Sequence, residues 1–204
     1  MKRYISLAAL ALLLCAVGVS NNCIMEEKVI EIVVTDKTCQ EMEENHDSAN
    51  FVTPAIINYA AEIDAILDDN DYSREDMHSA RVMSVAYIVT NFSHTHDWTI
   101  SGYIDVERID ISDGPATLFN YTSQSVTGAM GDYVIAPLQE AGVELINRAL
   151  DDYIAGGTPV IRFAVHNGNV LPPPSPADPI VFNWRACIMI YVTTLAEVDA
   201  PDPF

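Results

Sequence analysis

Residues 82–111 read VMSVAYIVTNFSHTHDWTISGYIDVERIDI. Two β-rich runs flank a short polar segment, Ser93-His94-Thr95-His96-Asp97, and the simplest reading is an antiparallel hairpin. In the second run Trp98, Ile100, Ile104 and Val106 share one face, with Gly102 among them, while Thr99, Ser101, Tyr103, Asp105 and Glu107 share the other. A period of two marks a sheet with one dry and one wet face. The tip carries the chain's only close pair of histidines.

Working outward, β-type runs recur on both sides. Lys28–Thr35 (KVIEIVVT), Ala116–Ser123, Pro159–His166 and Ile180–Thr194 read as strands; in the last, Ile180, Phe182, Trp184, Ala186, Ile188, Ile190 and Val192 share a face. Trp98 and Trp184 are the first core candidates, because burying one large side chain is worth about 1.5–3 kcal/mol.

Helical signals are fewer. Thr53-Pro54 reads as an N-cap and first helical position, followed by Ile56, Ala60, Ile63 and Leu67 at helical spacing. Ser73 and Asp76 resemble a capping box for a short helix running to about Arg81. Pro137 opens the longest helix, with Leu138, Ala141, Leu145, Ala149 and Tyr153 on its apolar face, broadened by Ile146 and Leu150, and Gly156-Gly157 ending it near Ile154. Cys39–Asn50 reads as a polar loop, Asn167-Gly168 as a turn, and Leu171–Pro179 (LPPPSPADP) as a stiff loop.

The fold class these elements predict is α+β: a mainly antiparallel β-sheet or two-layer β-sandwich of about six strands, with one long and one or two shorter helices. Residues 1–20 read as a secretory signal peptide, with Lys2 and Arg3 before the apolar run Ile5–Val19 and small residues around Ser20. Residues 21–196 form a single β-rich globular domain on this reading, and 197–204 a disordered acidic tail. A lipoprotein signal is the competing reading of the leader, although the bulky Leu14 before Cys15 and Asn21-Asn22 before Cys23 both fit it poorly. No transmembrane segment is expected in the mature chain.

The chain has 204 residues, 10 Lys+Arg and 29 Asp+Glu, for a formal net charge of −19. Loss of Lys2 and Arg3 with the leader makes this −21. Phosphate contacts need clustered cations, so a nucleic-acid partner is not expected; a protein or small-molecule partner is. Cleavage would leave Cys23, Cys39 and Cys187, an odd number for an exported chain. Cys23–Cys39, Cys39–Cys187 and a buried free Cys187 all remain open.

The chemistry-bearing pattern is His94-x-His96-Asp97, whose alternating imidazoles can chelate zinc or copper with Asp97 as third ligand. His166 is a further possible donor. Asp69, Asp71, Ser73 and Glu75 alternate oxygen ligands as a calcium loop does, but Arg74 and Ala80 stand where an EF-hand needs glycine and a bidentate acid. Tyr103 and Tyr121 could stand on a wet sheet face and stack a ligand. Nucleophile elbows and phosphate-cradling glycine loops are absent. The sequence therefore points to an exported, non-enzymatic binding or structural domain acting in the periplasm, at the cell surface or outside the cell. One alternative is a metal-binding protein or metal-dependent hydrolase using His94, His96 and Asp97, with zinc or calcium as cofactor. Another is a subunit of an extracellular assembly, pairing through its first strand or an exposed edge.

Overall fold

The computed structural model describes residues 28–94 and 96–198, with the backbone path alone for 28–36 and 195–198. The signal-peptide reading, Cys15 and Cys23, and residues 199–204 of the expected tail lie outside the described residues. Residues 32–194 cluster as one compact unit; the described backbone of 28–31 and 195–198 falls in a second.

The strands are β1 (Lys28–His46), β2 (Phe51–Asn58), β3 (Met77–Phe92), β4 (Thr99–Arg108), β5 (Asp113–Ser125), β6 (Val134–Ile135), β7 (Val160–Leu171) and β8 (Ile180–Val198). Two helices interrupt them, α1 (Tyr59–Asp69) between β2 and β3 and α2 (Glu140–Ile154) between β6 and β7. One sheet has the order β1-β8-β3-β6 and the other β2-β7-β4-β5. The pairs β2–β7, β3–β6, β3–β8, β4–β5 and β4–β7 are antiparallel. β1 and β8 also run in opposite directions: Cys39, Glu41 and Glu44 meet Cys187, Arg185 and Trp184 in turn. First strand pairs with last, second with seventh, third with sixth and fourth with fifth. That nested order, split between two sheets, is the jelly roll.

Among the described residues the structure thus corrects the α+β expectation to an all-β sandwich of eight strands with two helical insertions. It also dissolves the expected hairpin. β3 and β4 are consecutive in the chain but lie in different sheets, so the segment 93–98 crosses from one layer to the other. Period-two patterning marks which side of a strand is dry, and both readings share it; the strand's neighbour is set by the global wrap. The dry face itself is as expected, with Trp98, Ile104 and Val106 buried.

Other boundaries shift for local reasons. The Thr53-Pro54 signal sits inside β2, where an edge strand tolerates proline, and the helix begins only at Tyr59 with Asn58 as its cap. Ile56, expected on a buried helical stripe, is therefore an exposed strand residue. The Ser73–Asp76 capping box exists but closes a single 3-10 turn, after which β3 begins. The expected loop from Cys39 is strand as far as His46, and the expected turn at Asn167-Gly168 continues β7, with Asn167 buried.

Because neighbours are antiparallel throughout, odd-to-even connections gather at one end of the sandwich and even-to-odd connections at the other. The second end carries α1, α2 and the β4–β5 turn. Helix α2 packs on β3 from one sheet and on β4, β5 and β7 from the other, burying Leu145, Ile146, Ala149, Leu150 and Tyr153. Its first turn comes so close to β5 that a Cβ on Gly142 would stand 2.5 Å from the Leu118 Cα. This explains why the buried stripe starts at Gly142 and not at Ala141, which is exposed. At this end Arg108, 4 % exposed, is held by Asp110 and Asp152.

Candidate functional site

Three features could carry function: the loop end of the sandwich, its interior, and its sheet edges. The loop end gathers the β1–β2, β3–β4, β5–β6 and β7–β8 connections, and with them His46, His94 and His96. The rings of His94 and His96 lie 6.1 Å apart, and both pack edge-on to the buried Trp98, at 4.3 and 4.4 Å. Asp97 does not join them. One of its oxygens accepts from the Ser125 hydroxyl and the other from the Thr127 N–H. Burial pushes its carboxyl up, but those hydrogen bonds outweigh it and hold the acid below the usual aspartate range. Asp97 thus pins the β5–β6 connection.

The carboxylate facing the histidines is Asp178, from the proline-rich loop some 80 residues on in the chain. His94 Nδ1 is 3.7 Å from Asp178 Oδ1 and His96 Nε2 is 3.5 Å from Asp178 Oδ2. His96 Nε2 is buried and makes no hydrogen bond. Among the described residues no group of three or more His, Cys, Asp or Glu side chains closes into a metal-holding cluster. His166, the other proposed donor, sits on the outer face of the β2-β7-β4-β5 sheet, stacked on Tyr103 at 4.5 Å and 3.5 Å from Asp105. The sequence held no signal for Asp178, since its approach depends on where the proline-rich loop folds.

The interior is mostly apolar; the buried Tyr59 hydroxyl and Trp98 indole N–H make no hydrogen bond, whereas the carboxylate of Glu44 is engaged. Glu44 is 1 % exposed. Its carboxylate accepts from Trp184 Nε1 at 3.0 Å and from the Thr53 hydroxyl at 2.6 Å, and His46 Nε2 lies 2.7 Å away. These contacts tie β1 to β8 in its own sheet and to β2 in the other. Tyr121 points inward, not to the wet face: its hydroxyl donates to Asn167 Oδ1 at 2.6 Å, and burial pushes its ionisation well upward. Beside them Tyr87, Phe119 and Trp184 help line a cavity of about 480 Å³, counted with its open mouth. The room inside for a solvent-sized sphere suffices for only a few waters, far short of a drug-sized ligand.

The edges differ sharply. β1 is acidic, with Glu41, Glu43 and Glu44 in four residues. β6 is two residues long. β5 pairs with β4 through three register irregularities. β2, FVTPAIIN, carries no charge and pairs with β7 in unbroken register over eight residues. Its outer face presents Val52 and Ile56, 55 % and 62 % exposed, with Pro54 between them. A regular, uncharged, apolar edge is what natural sheets ordinarily guard against, and the guard on β2 is Pro54.

No protein-family model matches the chain, and no curated protein matches it. Solved structures do resemble it in outline. The acid-stable capsid of Helicobacter pylori bacteriophage KHP30 aligns over 84 % of this chain and 100 % of its own, at 11 % identity and a TM-score of 0.34. The semi-empty virus-like particle of the Macrobrachium rosenbergii nodavirus aligns over 84 % and 98 %, at 5 % identity and 0.34. A structure of infectious bursal disease virus, Gx strain, aligns over 87 % of this chain at 8 % identity and 0.31, and the chain spans only a third of that protein's length. These scores are low, so the jelly-roll assignment rests on the strand order and pairing described above.

Proposed function

We propose that this chain is an exported, non-enzymatic jelly-roll module that works by contact with protein, as a structural or binding subunit. The observation that carries this reading is the β2 edge: an uncharged, regular strand with exposed Val52 and Ile56 in a chain of net charge −19. Val52, Pro54 and Ile56 supply apolar contact area on the outer face, beside an edge whose backbone groups are open except at Pro54, which has no N–H to give. The interior supports the same reading, because its room is water-sized and its central carboxylate is engaged by three neighbours. The export half of the proposal rests on the leader-like residues 1–20.

The competing proposal is metal binding at His94 and His96, with Asp97 as the ligand the sequence suggested and Asp178 as the carboxylate that faces both rings. One experiment separates the two. A photo-crosslinking residue at position 56, in protein made by the organism that encodes it, is expected to trap a protein partner. No trapped protein, together with stoichiometric zinc or copper that His96→Ala abolishes, would replace the contact reading with the metal one.

A further inference from the structure

Resting on the export half of the proposed function, we infer that Asn120 is a modification site: the amide that receives an N-linked oligosaccharide as the chain is exported. Asn120-Tyr121-Thr122 has the spacing that N-glycan transfer reads, an asparagine with a hydroxyl two residues on and no proline between them. Such three-residue matches are common, so the fold has to select among them. In a strand, residues two apart share a face. Asn120 and Thr122 lie on β5 and are both exposed, while Tyr121 between them turns inward and donates to Asn167. A bulky sugar on Asn120 therefore projects away from the core. Asn91-Phe92-Ser93 has the same spacing but not the same placement: β3 ends at Phe92, and Ser93 already belongs to the segment that crosses between the sheets.

The Asn120 amide is also one that the fold does not use. Asn58 caps α1, Asn70 donates to the Ile66 carbonyl, Asn147 accepts from the Val82 N–H and Asn167 accepts from Tyr121. Among the described residues, no side-chain hydrogen bond holds Asn120. Its direct partner on β4 is Tyr103, whose partner on the other side is His166 of β7. The His166 ring covers Tyr103 from that side, at 4.5 Å and 10° between planes, yet Tyr103 is still 39 % exposed. Its open face thus looks toward β5 and Asn120, and gives the first sugar a ring to lie against. Val52 of β2 stands in the same cross-strand row, three strands or about 14 Å away. The modified edge and the apolar patch of β2 are therefore opposite edges of one sheet. In the transfer, the Asn120 amide nitrogen attacks C1 of the first sugar of a polyisoprenyl-diphosphate oligosaccharide. The new N–C1 bond replaces the C1–O bond to the diphosphate, which leaves with the bonding pair, and one amide proton is lost to solvent.

The test is mass spectrometry of the chain recovered from the organism that encodes it, intact and after proteolysis, for the wild type, Asn120→Gln and Thr122→Ala. The wild type is expected to begin beyond the leader and to carry an oligosaccharide on the peptide that holds Asn120. Both variants are expected to lose that mass increment completely, the second while keeping the asparagine. Both positions are exposed, and thermal melts matching those of the deglycosylated wild type would show that the variants fold. A chain with its leader removed and Asn120 unmodified overturns the inference and leaves the export reading standing. A chain that keeps its leader inside the cell removes both. A glycan that survives Thr122→Ala, or one found only at Asn91, also overturns the assignment.

Discussion

Glu44→Ala would test the interior most sharply. The substitution removes a carboxylate that is 1 % exposed and accepts from Trp184 Nε1 and the Thr53 hydroxyl. Thr53 is only partly buried and its hydroxyl can turn to water. The indole N–H cannot, because Trp184 is 6 % exposed. Leaving one such donor unpaired costs about 1–3 kcal/mol, and hydrogen bonds to a charged group lie toward the upper part of that range. Some lost packing beside an existing cavity adds to this, so a total of about 2–4 kcal/mol is expected. For a domain of this size that is about 5–15 °C in Tm. Urea unfolding of Glu44→Ala, Trp184→Phe and the double variant forms a cycle, and a coupling of about 1–2 kcal/mol is expected between the two positions. The opposing effect is the cost of burying a carboxylate, which can exceed what its partners return. A Glu44→Ala protein as stable as the wild type, or more so, would show that desolvation dominates and refute the reasoning.

Three further outcomes follow from the geometry. Cys39 and Cys187 form a disulfide across β1 and β8 at a sequence separation of 148, for which the chain-entropy relation gives about 5 kcal/mol; urea unfolding of the double serine variant should show a loss of several kcal/mol, and an unchanged midpoint would contradict the bridge. Asp97 and Asp110 are both held below the ordinary aspartate range, Asp110 chiefly by Arg108. Their contribution is therefore complete above the unfolded value of about 3.9 and is lost as pH falls through the lower folded values; the acid limb of the stability curve should be shallower in Asp97→Asn, and an identical limb would remove Asp97 from it. Gly142→Ala gains about 1 kcal/mol of helix propensity but drives a Cβ to 2.5 Å from the Leu118 backbone, where overpacking costs about 1–3 kcal/mol. Net destabilisation by calorimetry is expected, while Gly168→Ala, with nothing within 4 Å, should be neutral.

What the sequence determined by itself was the local character of the chain. Alternation assigned the dry faces of β4 and β8, Trp98 and Trp184 announced the core, and Gly156 ended α2 where a left-handed residue was needed. Those properties depend on a few neighbouring residues, so a linear reading reaches them. Pairing does not work that way. A period of two is the same whether β4 folds back on β3 or crosses to β5 and β7, and only the wrap of the whole chain chose the second. Pro54 looked like a helix start because its first-turn preference is local, whereas its place on a sheet edge depends on β7, more than a hundred residues later. The same dependence brought Asp178 to His94 and His96, turned Asp97 away to Ser125, and joined Cys39 to Cys187. Tertiary structure also decided that FVTPAIIN would be an edge strand, because its place in the sheet order, at the end beside β7, depends on the wrap of the whole chain.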